Sequence, residues 1–97
     1  MRIIGIDPGL ATVGIGLIEA NSQHDMQVLD YLTIETLSTT PLPKRLKEIH
    51  QDLSMFLKES RPELAVIEKL YFSVNTKTAL DVAQARGVIL SVVATQE

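Results

Sequence analysis

The stretch Ile3-Ile4-Gly5-Ile6-Asp7-Pro8-Gly9 near the start of the chain joins a short apolar run to one carboxylate and a turn. Such an isoleucine-rich run is typical of a buried central strand, and Pro8-Gly9 indicates that the strand ends directly after Asp7. The later run Ala65-Val66-Ile67-Glu68-Lys69 also carries one carboxylate near its end. Because carboxylates are rarely placed in buried strands without a partner, we expect a divalent cation to lie between Asp7 and Glu68.

The composition indicates one small globular domain over residues 1–97. Hydrophobic residues make up 45% of the chain and charged residues 22%, which excludes a disordered polypeptide. The chain has no cysteine, which excludes disulfides and thiolate metal sites. We identify neither a signal peptide nor an apolar run of membrane-spanning length, and we therefore expect a cytoplasmic protein without a membrane partner.

Periodicity along the chain predicts the element order β-β-β-α-β-α, which is a mixed α/β fold. The expected strands are Arg2–Asp7, Thr12–Glu19, Gln27–Thr36 and Leu64–Leu70, and the expected helices are Lys44–Ser60 and Thr76–Thr95. A polar turn is expected at Asn21–Asp25. If the first and fourth strands are neighbours, Asp7 and Glu68 lie side by side and can share a cation.

The glycines of the second strand and the apolar stripes of the second helix indicate surfaces that another group could approach. Gly14 and Gly16 lie two residues apart in the second strand, so they share one bare face, which suits a close backbone, a ligand or a simple packing need. The second helix has two apolar stripes and is expected to be buried on both sides. The first stripe is Val82, Ala85, Ile89 and Val93, and the second is Ala79, Ala83, Gly87, Leu90 and Ala94. The small residues of the second stripe favour a dimer contact, and the alternative is coverage by further chain.

The two carboxylates fit the chemistry of a magnesium-dependent nuclease. Mg²⁺ takes oxygen ligands, and a two-metal phosphodiesterase places its ions about 3.5–4 Å apart, beside the attacking water and the leaving oxygen. Taken singly, Asp7 could be a turn residue and Glu68 an exposed strand end that pairs with Lys69. Two carboxylates are also too few for two complete ion sites, so the pair predicts the first half of such a site.

Basic and aromatic residues next to Glu68 are candidates for contacts with nucleic acid. The net charge of −3 does not favour nucleic acid by itself. The basic residues form two groups, Lys44, Arg45 and Lys47, then Lys69, Lys77 and Arg86, and both groups also fit an ordinary solvated surface. Tyr71-Phe72 follows Glu68 closely, and an aromatic ring there can stack on an unpaired base or fold into the core. We expect Tyr71 to point outward and Phe72 to pack.

These residues together closely resemble the RuvC family, the bacterial Holliday-junction resolvases of the ribonuclease H-like fold. The similarity runs over essentially the whole chain and rests on the following residues: Ile4-Gly5-Ile6-Asp7-Pro8-Gly9, Gly14-Ile15-Gly16, Val66-Ile67-Glu68, Asn75, Ala79-Leu80 and Gln84-Ala85-Arg86-Gly87-Val88. The first motif alone is moderately specific, whereas the two carboxylates combined with the last motif are highly specific.

The resemblance implies roles for several residues. Asp7 and Glu68 would be two of four acidic positions that bind two Mg²⁺ ions, and Tyr71 would match the aromatic that stacks on a base at the junction centre. The second helix would match the family's dimer helix, so that two active sites face a four-way junction and nick it symmetrically. Branch-migration proteins would be partners. Family members are longer and supply the remaining ligands from a late helix, so the chain is expected to be an incomplete domain that cuts poorly or not at all.

Three alternatives stay open on the sequence. Actin-like sugar kinases and chaperone ATPases also open with a strand, an Asp and a Gly, but they favour hydroxyl residues where Leu10-Ala11 stands here. A non-catalytic module that only dimerises or binds junctions is the second alternative, and the Ala/Gly-rich second helix supports it. A ribonuclease H-like nuclease for another substrate is the third.

Overall fold

The computed structural model of the chain describes residues 1–69 and 76–96, without the side chains of residues 76 and 77. Its elements are β1 (Arg2–Asp7), β2 (Thr12–Ser22), β3 (Asp25–Glu35), α1 (Leu42–Ser60), β4 (Leu64–Ile67) and α2 (Thr76–Thr95). The predicted order β-β-β-α-β-α and the mixed α/β class are confirmed.

The strands form one four-stranded sheet in the order β3-β2-β1-β4. β2 pairs with β1 and with β3 in antiparallel fashion, so the first three strands form a meander. β4 follows α1 in the chain and pairs parallel to β1. Parallel strands cannot be joined by a tight turn, and a helix such as α1 provides the longer connection they need. The expectation that the first and fourth strands are neighbours is therefore confirmed.

The helix α1 begins two residues earlier than predicted, after Pro41, and its first amide groups are satisfied by that residue. The backbone N–H groups of Lys44 and Arg45 donate to the Pro41 carbonyl oxygen at 3.0 and 3.1 Å. The helix ends where Arg61 adopts a left-handed conformation (φ 49°, ψ 58°) and its N–H donates to Leu57 O at 2.9 Å. This turn is an αL cap, and Pro62 next in the chain prevents continuation.

Four strand boundaries differ from the predictions: the end of β2, both ends of β3 and the end of β4. The hairpin turn is confined to residues 23–24, because Ala20 pairs with Met26 and Ser22 with Asp25 beyond the apolar part of the strands. Backbone pairing needs no apolar side chain, and the polar composition therefore concealed it. β4 ends at Ile67, so Glu68 follows the strand instead of lying inside it. The predicted end at Leu70 lies outside the described residues.

The core lies between the sheet and the two helices. The sheet contributes Ile4, Ile6, Val13, Ile15, Leu17 and Ile34, α1 contributes Ile49, Leu53 and Leu57, and α2 contributes Ala85, Ile89 and Val92. The first predicted stripe of α2 is thus confirmed at its centre, although Val92 replaces Val93 as the fully buried end. On the second stripe, Leu90, Ala83 and Gly87 are exposed.

The helix α2 is long and apolar enough to cross a membrane, whereas the sequence predicted no such run. Residues Thr78–Thr95 have a mean hydropathy of 1.2, and 17% of them are buried. A single helix of this kind is weak evidence for a span, and this one carries Asp81 and Arg86. Because its buried residues belong to the same core as the sheet, we describe α2 as a core helix with a second, exposed apolar face.

A candidate metal centre at the end of the central strands

Asp7 and Glu68 leave neighbouring parallel strands at the same edge of the sheet. Ile6 of β1 is the register partner of Ile67 of β4, so the residue after each of them lies at matching height. The N–H of Glu68 donates to the carbonyl oxygen of Ile6 at 2.9 Å, which extends the pairing past the end of β4. The pairing of β1 with β4 therefore places two carboxyl groups at the same end of neighbouring strands, as the sequence predicted.

The two carboxyl groups interact directly. The pKa of Glu68 is raised above its ordinary 4.5, first by a hydrogen bond to the Asp7 carboxyl group, then by the negative charge of Asp7, and last by slight desolvation. Both side chains are exposed to solvent. Two ionised carboxylates this close repel each other, and a divalent cation would replace the repulsion with attraction.

The carboxyl groups of Asp7 and Glu68 fit Mg²⁺ chemically. Carboxylate oxygens are the ligands that Mg²⁺ prefers, and one or two of them per ion are usual because the ion keeps several waters. Among residues 1–69 and 76–96, no group of three or more His, Cys, Asp or Glu side chains could hold a metal ion. The assignment of Asp7 and Glu68 to half of a metal site stays a prediction.

The loop after Asp7 is tightly built. Pro8 and Leu10 are buried, so both ends of the loop are anchored in the molecule. A side chain at Gly9 would clash with the carbonyl oxygen of Thr12, so only glycine lets the chain pass here. Asp7 is thus the last residue of β1, directly before this loop, and it lies beside Glu68.

The face of the sheet that carries the two carboxylates has glycine at the neighbouring positions, which form a floor without side chains. Gly14 is the register partner of Asp7, and a Cβ at Gly14 would lie 3.5 Å from the Cβ of Asp7. Gly5 and Gly16 are register partners two residues away, and nothing lies within 4 Å of a Cβ built on either. The expectation that Gly14 and Gly16 share one bare face is confirmed. A backbone or a phosphate can approach the carboxylates closely from this side.

The other predicted contact residues differ in how the structure places them. Lys69 is exposed directly beside Glu68. Tyr71 and Phe72 lie outside the described residues, as does the side chain of Lys77. Arg86 is partly buried, and its Nε is a buried donor without a hydrogen-bond partner among the described residues. The sequence treated Arg86 as surface, although its neighbour Ala85 on the buried stripe indicated an intermediate position.

The residues predicted for a dimer contact form an accessible face of α2. Ala83, Gly87 and Leu90 are exposed and Ala79 is partly buried, and nothing lies within 4 Å of a Cβ built on Gly87. A second helix could therefore approach closely at Gly87. The structure contains one copy of the chain, so the dimer stays a prediction.

One interaction near the site was not predicted from the sequence. Arg45, assigned there to a solvated basic group, directs its guanidinium inward, and its Nε–H donates to the Thr36 hydroxyl at 2.9 Å. Thr36 is buried although it is polar, and it follows β3 directly. Arg45 lies in the first turns of an amphipathic helix, two residues after a proline. Nothing in the sequence around it distinguished this inward-directed arginine from the lysines Lys44 and Lys47.

Sequence comparison relates the chain to one family of nucleases. The family model described as "Crossover junction endodeoxyribonuclease RuvC" matches residues 3–97. The RuvC proteins of Caldicellulosiruptor saccharolyticus and Alkaliphilus oremlandii are 41% and 48% identical over 90 and 88 residues, which is 93% and 91% of this chain but 54% and 53% of theirs. The chain thus spans about half the length of the curated relatives it matches.

Solved structures show the same relationship. Thermus thermophilus RuvC in complex with a Holliday junction substrate superposes with a TM-score of 0.92 at 25% identity, over 99% of this chain and 61% of that one. The ribonuclease H-like fold is thereby confirmed. The Aquifex aeolicus Ppx/GppA phosphatase superposes with a TM-score of 0.58 at 18% identity and shares the fold alone.

Proposed function

Since the chain belongs to the RuvC family of crossover junction endodeoxyribonucleases, we propose that it is the incomplete nuclease domain of an enzyme that resolves four-way DNA junctions. The observation that carries the proposal is the pair of carboxyl groups of Asp7 and Glu68 at the ends of neighbouring parallel strands. In that role the enzyme would act in DNA recombination and repair, in the cytoplasm, with branch-migration proteins as partners.

The proposed reaction is hydrolysis of a DNA phosphodiester. Water attacks the phosphorus, the bond from phosphorus to the leaving sugar oxygen breaks, and that oxygen takes up a proton. Bound Mg²⁺, two ions in a complete site, would supply Lewis acidity toward the phosphodiester. Asp7 and Glu68 would hold the cation, and the absence of side chains at Gly5, Gly14 and Gly16 would let the DNA backbone reach them.

The DNA contacts proposed here come from the surroundings of Glu68. Lys69 is an exposed cation next to the carboxylate pair and can contact a neighbouring phosphate. We assign Tyr71 to stacking on an unpaired base, which is worth about 1–3 kcal/mol per base. Lys77 is proposed as a further phosphate contact. Arg86, whose buried Nε lacks a partner, would donate to a group that the described residues do not supply.

The proposed homodimer uses the exposed face of α2. Ala79, Ala83 and Gly87 are small enough for close helix approach, and Leu90 adds an exposed apolar side chain. A two-fold axis at this face gives two copies of the carboxylate pair, which suits paired nicks in two strands of a junction. Further chain that covers the same face is the alternative, because the chain spans about half the length of its relatives.

One observation favours a second candidate, a junction-binding module without catalysis. Among the described residues, no group of three or more His, Cys, Asp or Glu side chains could hold a metal ion. Such a module would bind branched DNA and would keep its function when Asp7 or Glu68 is replaced. The chain alone is in any case expected to bind metal weakly and to cut poorly.

Cleavage of a labelled four-way junction in Mg²⁺ separates the two candidates. The chain and a version extended to the length of its relatives are assayed with linear duplex as the substrate control. We expect symmetric paired nicks from the extended protein, their loss in Asp7→Asn and Glu68→Gln, and their retention in Asp52→Asn, which removes an exposed carboxylate of α1. If the extended protein binds junctions and never cuts them, the binding module replaces the resolvase. Efficient cutting by the 97-residue chain would show that the site is complete.

A further inference from the structure

The loop that follows Asp7 is tied to the end of β3 by one buried threonine. The Thr36 hydroxyl donates to the carbonyl oxygen of Leu10 at 2.5 Å, and the Thr36 N–H donates to that of Ala11 at 3.0 Å. Two consecutive carbonyl groups of the loop thus depend on one residue. Thr36 is buried, so solvent cannot readily replace these bonds.

Arg45 of α1 completes this connection from the other side. Its Nε–H donates to the Thr36 hydroxyl oxygen at 2.9 Å, and its Nη2 donates to the Thr36 carbonyl oxygen at 3.4 Å. A charged donor polarises the hydroxyl that accepts from it, which strengthens the bond that the same hydroxyl donates to Leu10. The result is a relay from the guanidinium through the hydroxyl to the loop.

The loop has little freedom to absorb a movement of Leu10. Pro8 and Gly9 alone separate Leu10 from Asp7; proline has a fixed φ angle, and Gly9 lies against the Thr12 carbonyl. Leu10 itself is buried. A displacement of the loop is therefore transmitted to the last residue of β1, which is Asp7.

We propose that Arg45 and Thr36 are positioning residues for Asp7, which set its distance from Glu68 and thereby the affinity of the pair for a divalent cation. Neither touches the carboxylates, so they act through the loop. The inference rests on the proposed function, because it assigns a purpose to the spacing of Asp7 and Glu68. Residues that orient metal ligands from outside commonly change metal affinity by about 10- to 100-fold when replaced.

The opposite end of the sheet offers a matched control. There Arg2 Nη1 donates to the carbonyl oxygen of Ser60 at 2.8 Å, in a partly buried contact between β1 and the end of α1. This bond also joins an arginine to a backbone carbonyl across two elements. It lies at the other end of β1 from Asp7, so its loss should lower stability without changing the metal site.

The test is a titration with Mn²⁺, followed by paramagnetic broadening of the Asp7 and Glu68 amide signals. Asp7→Asn defines the loss of the site. We expect Thr36→Val and Arg45→Gln to weaken Mn²⁺ binding by about 10-fold. Thr36→Ser keeps the hydroxyl and should bind Mn²⁺ as the unmodified chain does, and Arg2→Gln should leave binding unchanged. Where Arg45→Gln fails to fold, Arg45→Lys keeps the charge, loses the planar fork and is expected to give the same direction of change. Unaltered binding in both Thr36→Val and the Arg45 variant overturns the proposal.

A second readout separates this proposal from the proposed function. The Thr36 N–H bonded to Ala11 should exchange with solvent faster in Arg45→Gln, while the Ala20 N–H, bonded to Met1 O at the far end of the sheet, keeps its wild-type rate. If the protein extended to the length of its relatives binds no Mn²⁺ through Asp7, the proposed function loses its support, and faster local exchange would still establish the loop connection. If exchange at Thr36 is also unchanged, the positioning role is refuted on its own terms.

Discussion

The backbone N–H of Glu68 donates to the carbonyl oxygen of Ile6 at 2.9 Å, and this bond sets the two candidate ligands beside each other. It continues the parallel ladder one residue beyond β4, so Glu68 has a fixed backbone although it lies outside the strand. The side chains are exposed while the backbone that carries them belongs to the core sheet. This arrangement holds two like charges close together while both stay in contact with solvent, so the free-energy cost of burying a charge is avoided.

Replacing Asp7 by Asn should lower the pKa of Glu68 toward 4.5, because the Asp7 carboxyl group raises it through a hydrogen bond and a negative charge. A raised pKa in the folded state means that folding favours the protonated form of Glu68. The stability it contributes is complete below the unfolded-state pKa and is lost as the pH rises through the raised value. We therefore expect Asp7→Asn to raise the melting temperature at neutral pH and to flatten its dependence between pH 4.5 and neutrality.

Carbon-detected NMR titration of the Glu68 carboxyl and thermal melting at several pH values measure both effects. Asp52→Asn is the control, since this exposed carboxylate lies on α1. An ordinary pKa for Glu68 in the unmodified chain would contradict the expected contact with Asp7.

Divalent-cation binding should weaken as the pH falls through the raised pKa of Glu68. Protons and the cation compete for the same oxygens, and the hydrogen bond between Glu68 and Asp7 forms only when one of them is protonated. Isothermal titration with Mn²⁺ from pH 4.5, the ordinary pKa of Glu68, to neutrality measures the effect, with proton release expected on the acidic side. Affinity that is independent of pH over this range would argue against Glu68 as a ligand.

The sequence predicted the element order, the pairing of β1 with β4 and the shared face of Gly14 and Gly16, since all three follow from apolar runs and the two-residue period of strands. It did not predict the relay from Arg45 to Thr36, because a hydrogen bond between residues of different elements depends on how those elements pack. It also predicted a turn over Asn21–Asp25, so that the predicted end of β2 came too early and the predicted start of β3 too late. Polar residues there pair through the backbone and leave no periodic trace.

Gly9→Ala should destabilise the chain by about 1–3 kcal/mol, the usual cost of forcing extra atoms into a packed site. The added Cβ would clash with the Thr12 carbonyl oxygen, and the loop would have to shift at the residue that follows Asp7-Pro8. Gly5→Ala is the matched control, because nothing lies within 4 Å of a Cβ built there. Urea denaturation of both variants measures the difference. Equal stabilities would mean that the loop has more freedom than its geometry indicates.

The proposed dimer face can be tested by placing a charge on one exposed apolar residue of each helix. Leu90 on α2 is 40% exposed and Met55 on α1 is 62% exposed, so neither is needed to fill the core. A charge buried between two copies lacks its hydration, so Leu90→Asp should shift the chain to monomers, whereas Met55→Asp should leave its self-association unchanged. Sedimentation equilibrium over a range of concentrations measures both. If the extended protein dimerises equally well with Leu90→Asp, the exposed face of α2 is not the dimer contact and is covered by further chain. The two active sites of a resolvase would then be related through another surface.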